Sequence, residues 1–209
     1  MSRFTSIAFT PRVKVEQERM GSRRAYARAD LAESPDALGE DEQAFLAQRD
    51  SFYMASVSET GWPYVQHRGG PKGFIKMLDP HTIGFADYRG NKQFVSLGNF
   101  AGDDRVALIF VDYPNRARLK LLARVSVVSE ASEPEVFAAL AAVAGDGARI
   151  ERAFVLRVEG FDWNCPQHIT PRYTAQELRD SVAPLLEKLA AAEAENEELR
   201  ALLAKRGEE

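Results

Sequence analysis

Short runs of aromatic and aliphatic residues, separated by turn residues, fill the middle of the chain. They lie at 51–57, 62–68, 74–78, 82–86, 105–112, 116–128 and 153–158. Runs of this length between Gly, Pro, Asn and Asp are typical of β-strands, and the first four predict an antiparallel meander. Six or seven closely spaced strands with helices only at intervals predict a mainly β fold with α elements, a small barrel with peripheral helices.

Helical patterns precede the strands and interrupt them. The predicted helices are 12–32, 40–49, 91–100 and 134–143. Pro35 and Gly39 separate the first two, and Pro134 stands where a proline suits a helix start.

The C-terminal segment has a heptad pattern that predicts a coiled-coil helix. Its d positions are Leu185, Ala192 and Leu199, and its a positions are Leu189, Asn196 and Leu203. A single Asn at an a position selects a parallel, two-stranded register. Pro184 marks where this seam can begin. The alternative is an amphipathic helix packed on its own domain.

Composition narrows the class of protein. The 209 residues carry a formal net charge of -4, and the nine acidic and five basic residues at 176–209 account for all of it. A general nucleic-acid binder would usually be basic. No apolar stretch is long enough for a membrane span, and the N-terminus lacks a signal peptide's apolar core. The single Cys165 excludes an internal disulfide, and with three histidines it cannot fill a zinc site, so we expect a cytoplasmic protein without metal.

Four segments carry residues suited to a flat or anionic ligand. Segment 66–74 holds three glycines, a His, a Gln and two cations between strands, and segment 161–168 holds a Trp and a His. Segment 87–92 precedes a predicted helix, whose first backbone N–H groups could bind an anion. In segment 116–124, cations alternate with apolar residues and therefore share one strand face. That face is either a solvated surface or a cationic wall for a phosphate, and alternation alone does not decide.

At these segments the sequence resembles the pyridoxamine 5'-phosphate oxidase-like family of FMN-binding split β-barrels, and is most similar to its bacterial oxidase-related branch. The matching motifs are FYMASV at 52–57, GWPYVQHRGG at 61–70, FADYRGN at 85–91, DYPNR at 112–116 and FDWNCPQHI at 161–169. The likeness covers residues 40–173. It implies three parts: an N-terminal helical extension at 1–39, an FMN-binding split β-barrel domain at 40–173 and the coiled-coil helix at 174–209.

The resemblance also implies a homodimer with FMN in the groove between subunits, a small-molecule substrate, and no nucleic acid or membrane partner. The implied cofactor-binding residues are Gln66, His67, Arg68, Gly69, Gly70, Lys72, Arg89, Asn91, Lys92, Gln93, Arg116, Lys120, Trp163, Gln167 and His168. Arg68 and its glycines match a strand along the flavin, and Arg89, Asn91, Lys92 and Gln93 match a turn that grips its phosphate. The last five match a strand from the partner subunit and a loop over the flavin ring. His67 and His168 are the candidate proton donors.

The sequence departs from the oxidase proper at its substrate site. A Tyr-Phe-x-x-Arg-Pro-type segment binds the substrate phosphate there, whereas this chain has SEPEVFAAL at 132–140, and the Arg-x-His near the family's C-terminus is missing. We therefore expect an FMN-dependent oxidoreductase that acts on another small molecule. The alternatives are a non-catalytic flavin- or haem-binding sensor of the same fold, a genuine pyridoxamine 5'-phosphate oxidase, and an interaction protein that recruits a partner through its tail.

Overall fold

A computed structural model describes residues 2–27, 33–143 and 149–206. The chain forms two compact units. One comprises residues 1–112 and 116–168 and contains every described strand, and the other comprises residues 113–115 and 169–209.

Seven strands form one antiparallel sheet in the order β2-β1-β5-β6-β7-β4-β3. The strands are β1 (Ser51–Val57), β2 (Pro63–Gly69), β3 (Lys76–Asp79), β4 (Thr82–Tyr88), β5 (Arg105–Asp112), β6 (Ala117–Val128) and β7 (Ile150–Asn164). The helices are α1 (Arg3–Ala8), α2 (Pro11–Arg19), α3 (Arg23–Tyr26), α4 (Glu40–Ala47), α5 (Val95–Gly102), α6 (Pro134–Ala141) and α7 (Ala175–Arg206). The predicted mainly β fold with peripheral helices is confirmed, and the open edges at β2 and β3 are those of a split barrel.

The strands connect differently from the predicted four-strand meander, which is wrong. β1 and β2 form a hairpin at one end of the sheet, and β3 and β4 form another at the opposite end. β1 pairs with β5, while β4 pairs with β7. β7 is also much longer than predicted, because residues up to Asn164 continue the ladder with β6. The first half of the predicted loop at 161–168 is therefore strand.

The N-terminal helices also differ from the single helix predicted at 12–32. α2 ends at Arg19, and Gly21 follows with a φ of 75°, a left-handed conformation that suits glycine. α1 was not predicted, and residues 28–32 lie outside the described part of the chain. α5 starts at Val95 rather than at 91, because Lys92 and Phe94 have left-handed φ values of 61° and 54°.

Phenylalanines dominate the core of the first unit. Phe52 packs on Phe110 with ring centroids 4.8 Å apart and on Phe85 at 5.1 Å. Phe85 in turn packs on Phe154 at 5.4 Å, and Phe154 contacts Phe100 from α5 at 5.5 Å. All five side chains are buried, so this aromatic chain joins β1, β4, β5 and β7 to α5.

α1 is fixed to β7 by close backbone contact. A Cβ atom at Gly160 would collide with the backbone nitrogen of Phe4, so only glycine fits there. The carboxylate of Asp36 accepts hydrogen bonds from the Ser2 hydroxyl at 2.5 Å and from the Phe161 backbone N–H at 3.0 Å. Asp36 therefore ties the start of the chain to β7.

The second unit consists mainly of α7. This helix begins at Ala175, nine residues before Pro184, the point from which the seam was expected to run. Thr174 and Glu177 set the actual start as a capping box, in which the Thr174 N–H donates to Glu177 Oε2 at 2.7 Å and the Glu177 N–H donates to Thr174 Oγ1 at 3.2 Å. Within the described chain, no helix is both long and apolar enough to cross a bilayer.

Candidate functional site

A small open pocket lies where β2, the end of β4, the start of β7 and the start of α5 meet. Its volume is about 100 Å³. Because each water in the liquid occupies about 30 Å³, this is room for roughly three waters or one compact anionic group. The lining residues are Tyr64, Gln66, Arg68, Asp87, Tyr88, Gly90, Asn91, Lys92, Gln93, Phe94, Val95, Ser96, Leu97, Glu151, Arg152 and Phe154.

A partly buried ion-pair cluster forms the floor of the pocket. Asp87 Oδ1 lies 2.7 Å from Arg68 Nη1, and Asp87 Oδ2 lies 3.3 Å from Arg152 Nη1. Burial raises the pKa of Asp87, and the two guanidiniums lower it. Burial also lowers the pKa of Arg68, against the charge of Asp87. Since burial disfavours the charged form of each group, the cluster depends on compensation by nearby charge.

Arg68 is not fully satisfied by this cluster. Its Nε is buried and has no hydrogen-bond partner within the described part of the chain. Its guanidinium stacks 5.2 Å from the ring centroid of Phe154, which fixes its plane against the aromatic core. A buried N–H without an acceptor is costly, so this atom marks a place where an added acceptor would be stabilised.

The loop between β4 and α5 has an unusual backbone. Lys92 and Phe94 are non-glycine residues with positive φ, a conformation that costs free energy and often marks functional sites. Phe94 is the N-cap residue of α5, and no side chain caps that helix. The ring of Phe94 lies 5.3 Å from the Arg152 guanidinium. The positive end of α5 and the cluster cations therefore face the same pocket.

The pocket and its rim carry an excess of two positive charges. The cations are Arg68, Arg89, Lys92 and Arg152, and the carboxylates are Asp87 and Glu151. A phosphate monoester is close to a dianion at neutral pH, with a second pKa of about 6. The local charge therefore matches a phosphate monoester, although the whole chain is acidic.

Five predicted residues line this pocket: Gln66, Arg68, Asn91, Lys92 and Gln93. Gln66 accepts a hydrogen bond from the buried Ser96 hydroxyl at 2.8 Å, which joins β2 to α5. Arg89 lies beside the pocket, 3.9 Å from Glu151.

The glycine-rich segment after β2 has a packing role. A Cβ atom at Gly70 would lie 2.6 Å from the Phe74 ring, and one at Gly69 would lie 3.2 Å from His67 Cε1. His67 stands on the strand face opposite Gln66 and Arg68, in edge contact with Tyr53 at 5.5 Å. Lys72 is exposed in the following turn.

The remaining predicted residues lie near the other end of β7. Lys120 pairs with Asp162 at 2.7 Å, and the exposed Arg116 occupies the turn before β6 with a φ of 53°. The Trp163 indole N–H donates to Glu42 Oε1 at 2.6 Å, and its ring packs on Phe45 from α4. Gln167 and His168 are both exposed after the strand.

Sequence reasoning missed three residues of the pocket: Asp87 as an ion-pair centre, Glu151 and Arg152. Asp87 belongs to the FADYRGN motif at 85–91, but its ion-pair partner Arg152 lies 65 positions later in the sequence, so no local pattern connects the two. Only the antiparallel register of β4 with β7 places Arg152 opposite Asp87. No metal-ligand cluster of three His, Cys, Asp or Glu side chains occurs among the described residues.

The fold and the pocket define a split-barrel protein with a small, positively charged pocket beside α5. Residues 38–163 match the family described as pyridoxamine 5'-phosphate oxidase. This match spans more than half of the chain, so the chain belongs to that family, and the resemblance expected from its motifs is confirmed.

The solved structures that match part of this chain have low sequence identity to it. HupZ from Group A Streptococcus is 14% identical with a TM-score of 0.48, covering 65% of this chain and 100% of its own. A putative pyridoxamine 5'-phosphate oxidase from Lactobacillus delbrueckii is 21% identical with a TM-score of 0.45, covering 60% and 93%. HutZ, the heme storage protein from Vibrio cholerae, is 15% identical with a TM-score of 0.40, covering 60% and 94%. A comparison with curated proteins gives no match.

Proposed function

We propose that this protein is an FMN-dependent oxidoreductase acting on a small molecule, with its flavin held between two copies of the chain. The observation that carries the proposal is the pocket around Arg68, in which a buried guanidinium N–H without an acceptor lies among excess positive charge. Family membership supports a flavin as the ligand.

The residues present fit the phosphate of FMN. Arg68 and Arg152 offer guanidinium donors, which suit phosphate oxygens, and Lys92 adds a flexible positive charge. Backbone N–H groups at the start of α5 would add donors that need no side-chain charge. FMN, when bound, supplies hydride or electron transfer through its ring system, and the protein supplies binding, orientation and electrostatics.

The size of the pocket indicates that the flavin ring lies outside it. Pockets that enclose drug-sized ligands measure about 300–1,000 Å³, several times the volume found here. The Arg68 pocket of one chain would therefore hold the phosphate without enclosing the remainder of the cofactor.

The two groups of predicted cofactor residues are separated within one chain. Arg152 lies near the start of β7 and Trp163 near its end, up to about 36 Å apart along an extended strand. Arg116 and Lys120 belong to the Trp163 end, because β6 pairs there with the last residues of β7. A second copy that brings its Trp163 end to the Arg68 pocket would complete one site and, by symmetry, a second.

An apolar sheet face supports this assembly. Tyr53, Val57 and Val65 on the outer side of β1 and β2 are exposed, and Trp62 in the turn between them is 75% exposed. A groove of about 550 Å³ continues this face, lined by Ala55, Val57, Pro63, Ala107 and Leu122 among others. Contiguous exposed apolar surface of this kind is typical of a protein interface. We assign it to the second copy of the barrel, because family members are commonly dimeric.

Within this assembly, His67 and His168 remain the candidate proton donors. Both side chains are exposed in one copy, His67 on the face of β2 opposite Arg68 and His168 after β7. Arg68 and Arg152 would orient the cofactor through its phosphate, and closure by the second copy would exclude water from the ring.

Subunit complementation tests the shared site. Arg68→Ala and Arg116→Ala are introduced into separately tagged chains, which are co-expressed and purified as the heterodimer. Each homodimeric variant has both sites damaged, whereas the heterodimer has one intact site. We expect about one FMN per heterodimer and little FMN in either homodimer.

Two results would contradict the proposal at different steps. If the Arg68→Ala homodimer retained FMN at full occupancy, the Arg68 pocket would not be part of the cofactor site. Loss of FMN in the heterodimer as well would show that Arg68 and Arg116 serve the same subunit. Arg157→Ala is the control, because this exposed cation on β7 lies 3.9 Å from Glu159 and lines neither the Arg68 pocket nor the groove of about 550 Å³.

A further inference from the structure

α7 presents a seam of mostly apolar a and d residues that is longer than the sequence had indicated. Because the helix begins at Ala175, the heptad pattern extends backwards through Val182 at an a position and Leu178 at a d position. Pro184 falls at a c position, on the side of the helix away from the seam. The large seam residues are all exposed: Leu178 50%, Val182 41%, Leu185 63%, Leu189 54%, Leu199 51% and Leu203 69%.

We propose that α7 binds α7 of a second copy as a parallel, in-register, two-stranded coiled coil. This interaction is separate from the flavin site and does not depend on it. The seam residues supply the apolar contact, with Leu at three of the four d positions, and each a or d side chain would insert between four residues of the facing helix.

Asn196 indicates the parallel direction. In an in-register parallel pair, Asn196 lies opposite Asn196 of the second copy, and the two amides can hydrogen-bond to each other. In an antiparallel pair an a position faces a d position, so the amide would meet Leu or Ala. Within its own helix, Asn196 Nδ2 donates to the Ala192 carbonyl at 2.9 Å, which leaves Oδ1 and the second N–H for the other copy.

Charges beside the seam are complementary in the same register. In a parallel coiled coil, a g residue faces the e residue of the following heptad on the other helix. Lys188 at g then faces Glu193 at e, and Glu195 at g faces Arg200 at e. Both contacts pair opposite charges, and each occurs twice in a dimer.

Lys188, Glu193 and Glu195 have no oppositely charged residue placed for pairing within their own helix. Intrahelical partners must be three or four positions apart. Lys188 has Pro, Leu and two Ala at those positions, and Glu195 has two Ala, a Glu and a Leu. Arg200 has Glu197 three positions before it and can pair within its own helix, so the contact that indicates a facing helix is Lys188 with Glu193, which a second copy of this chain provides.

Site-specific disulfide formation tests direction and register together. In a Cys165→Ser background, Leu199→Cys places a thiol at a d position. The thiols of the two chains at this position lie opposite each other only in a parallel, in-register pair. The matched control is Ala201→Cys, two residues along the same exposed helix at an outward f position. We expect mild oxidation to link the Leu199→Cys chains at least tenfold faster than the Ala201→Cys chains.

Charge reversal then tests the partner assignment in the same background. Lys188→Glu places a carboxylate opposite Glu193 of the facing helix, and the two like charges repel each other. We expect this variant to slow the rate of Leu199→Cys cross-linking at least fivefold at low salt. Adding Glu193→Lys restores opposite charges and should restore the rate. Circular dichroism checks that the helix content is unchanged.

Equal cross-linking at positions 199 and 201 would overturn the proposal, and so would a charge reversal that Glu193→Lys does not rescue. The FMN content of all these variants should remain that of the wild-type protein. Failure of the tail pairing would therefore be distinguishable from failure of the flavin proposal.

Discussion

Asp87 lies directly across the β4–β7 ladder from Arg152, and its carboxylate joins that residue to Arg68 on β2. Three strands that are distant in sequence thus meet at one ion-pair cluster. The same cluster faces the uncapped start of α5 and the strained loop before it. It is the structural basis for assigning an anion site to a chain whose overall charge is negative.

Arg68→Ala should weaken FMN binding by about 10- to 100-fold, since a charge-assisted hydrogen bond contributes about 1.5–3 kcal/mol. Riboflavin has the same ring system but no phosphate, so its affinity should change little. Fluorescence titration with both flavins measures the ratio. An equal loss for FMN and riboflavin would show that Arg68 acts on the ring or on the fold rather than on the phosphate.

Asp87→Asn should tighten FMN binding by about tenfold at neutral pH, because it removes a carboxylate that repels the phosphate and competes for the same guanidiniums. Burial raises the pKa of Asp87, so the wild-type protein loses this carboxylate charge as the pH falls through that raised pKa. The affinity ratio between variant and wild type should therefore approach one in acid. Weaker binding by Asp87→Asn at neutral pH would show instead that Asp87 positions the arginines for the ligand.

Val65→Asp should lower FMN occupancy although Val65 points away from the Arg68 pocket. The side chain is 60% exposed on the outer face of β2, and a charge there would be buried at the proposed barrel interface. Val127→Asp is the matched control, an exposed valine at 44% on β6. Absorption of the purified variants gives FMN per chain. Equal occupancy in the two variants would argue against a barrel interface on this face.

Gly160→Ala should destabilise the protein by about 1–3 kcal/mol, because its methyl group would collide with the backbone of α1 at Phe4. Gly98→Ala is the informative contrast, since this glycine lies within α5 with no atom in reach of an added Cβ. Alanine should stabilise that helix by about 0.5–1 kcal/mol. Urea unfolding of both variants gives the two free energies, and a change of the same sign in both would contradict the packing described at Gly160.

Local patterns predicted the strands and the chemistry of single segments better than they predicted connectivity. β1, β5 and β6 lie within a residue of their expected bounds because turn residues delimit them. The pairing of β4 with β7 follows from tertiary packing, and no local signal connects Asp87 with Arg152. α5 starts late because Lys92 and Phe94 adopt left-handed φ values. The hydrophobic pattern at these positions is that of a helix, so it gives no sign of this backbone conformation.

The predicted cofactor residues show the same limit. Gln66, Arg68, Asn91, Lys92 and Gln93 come together in one pocket because β2 and the α5 loop are neighbours in the fold. The residues from Arg116 to His168 lie near the other end of β7, and the sequence motifs contain no information on that distance. Gly70 was interpreted as a place for a flat ligand, whereas the Phe74 ring explains the absence of a side chain there.

The absorption spectrum of the native purified protein, with mass spectrometry of the cofactor released on denaturation, tests the central claim most directly. We expect a yellow protein with flavin absorption bands and a released mass equal to that of FMN, at one FMN per chain. A colourless protein whose thermal stability and flavin fluorescence do not respond to added FMN would contradict it. A haem spectrum would contradict it as well.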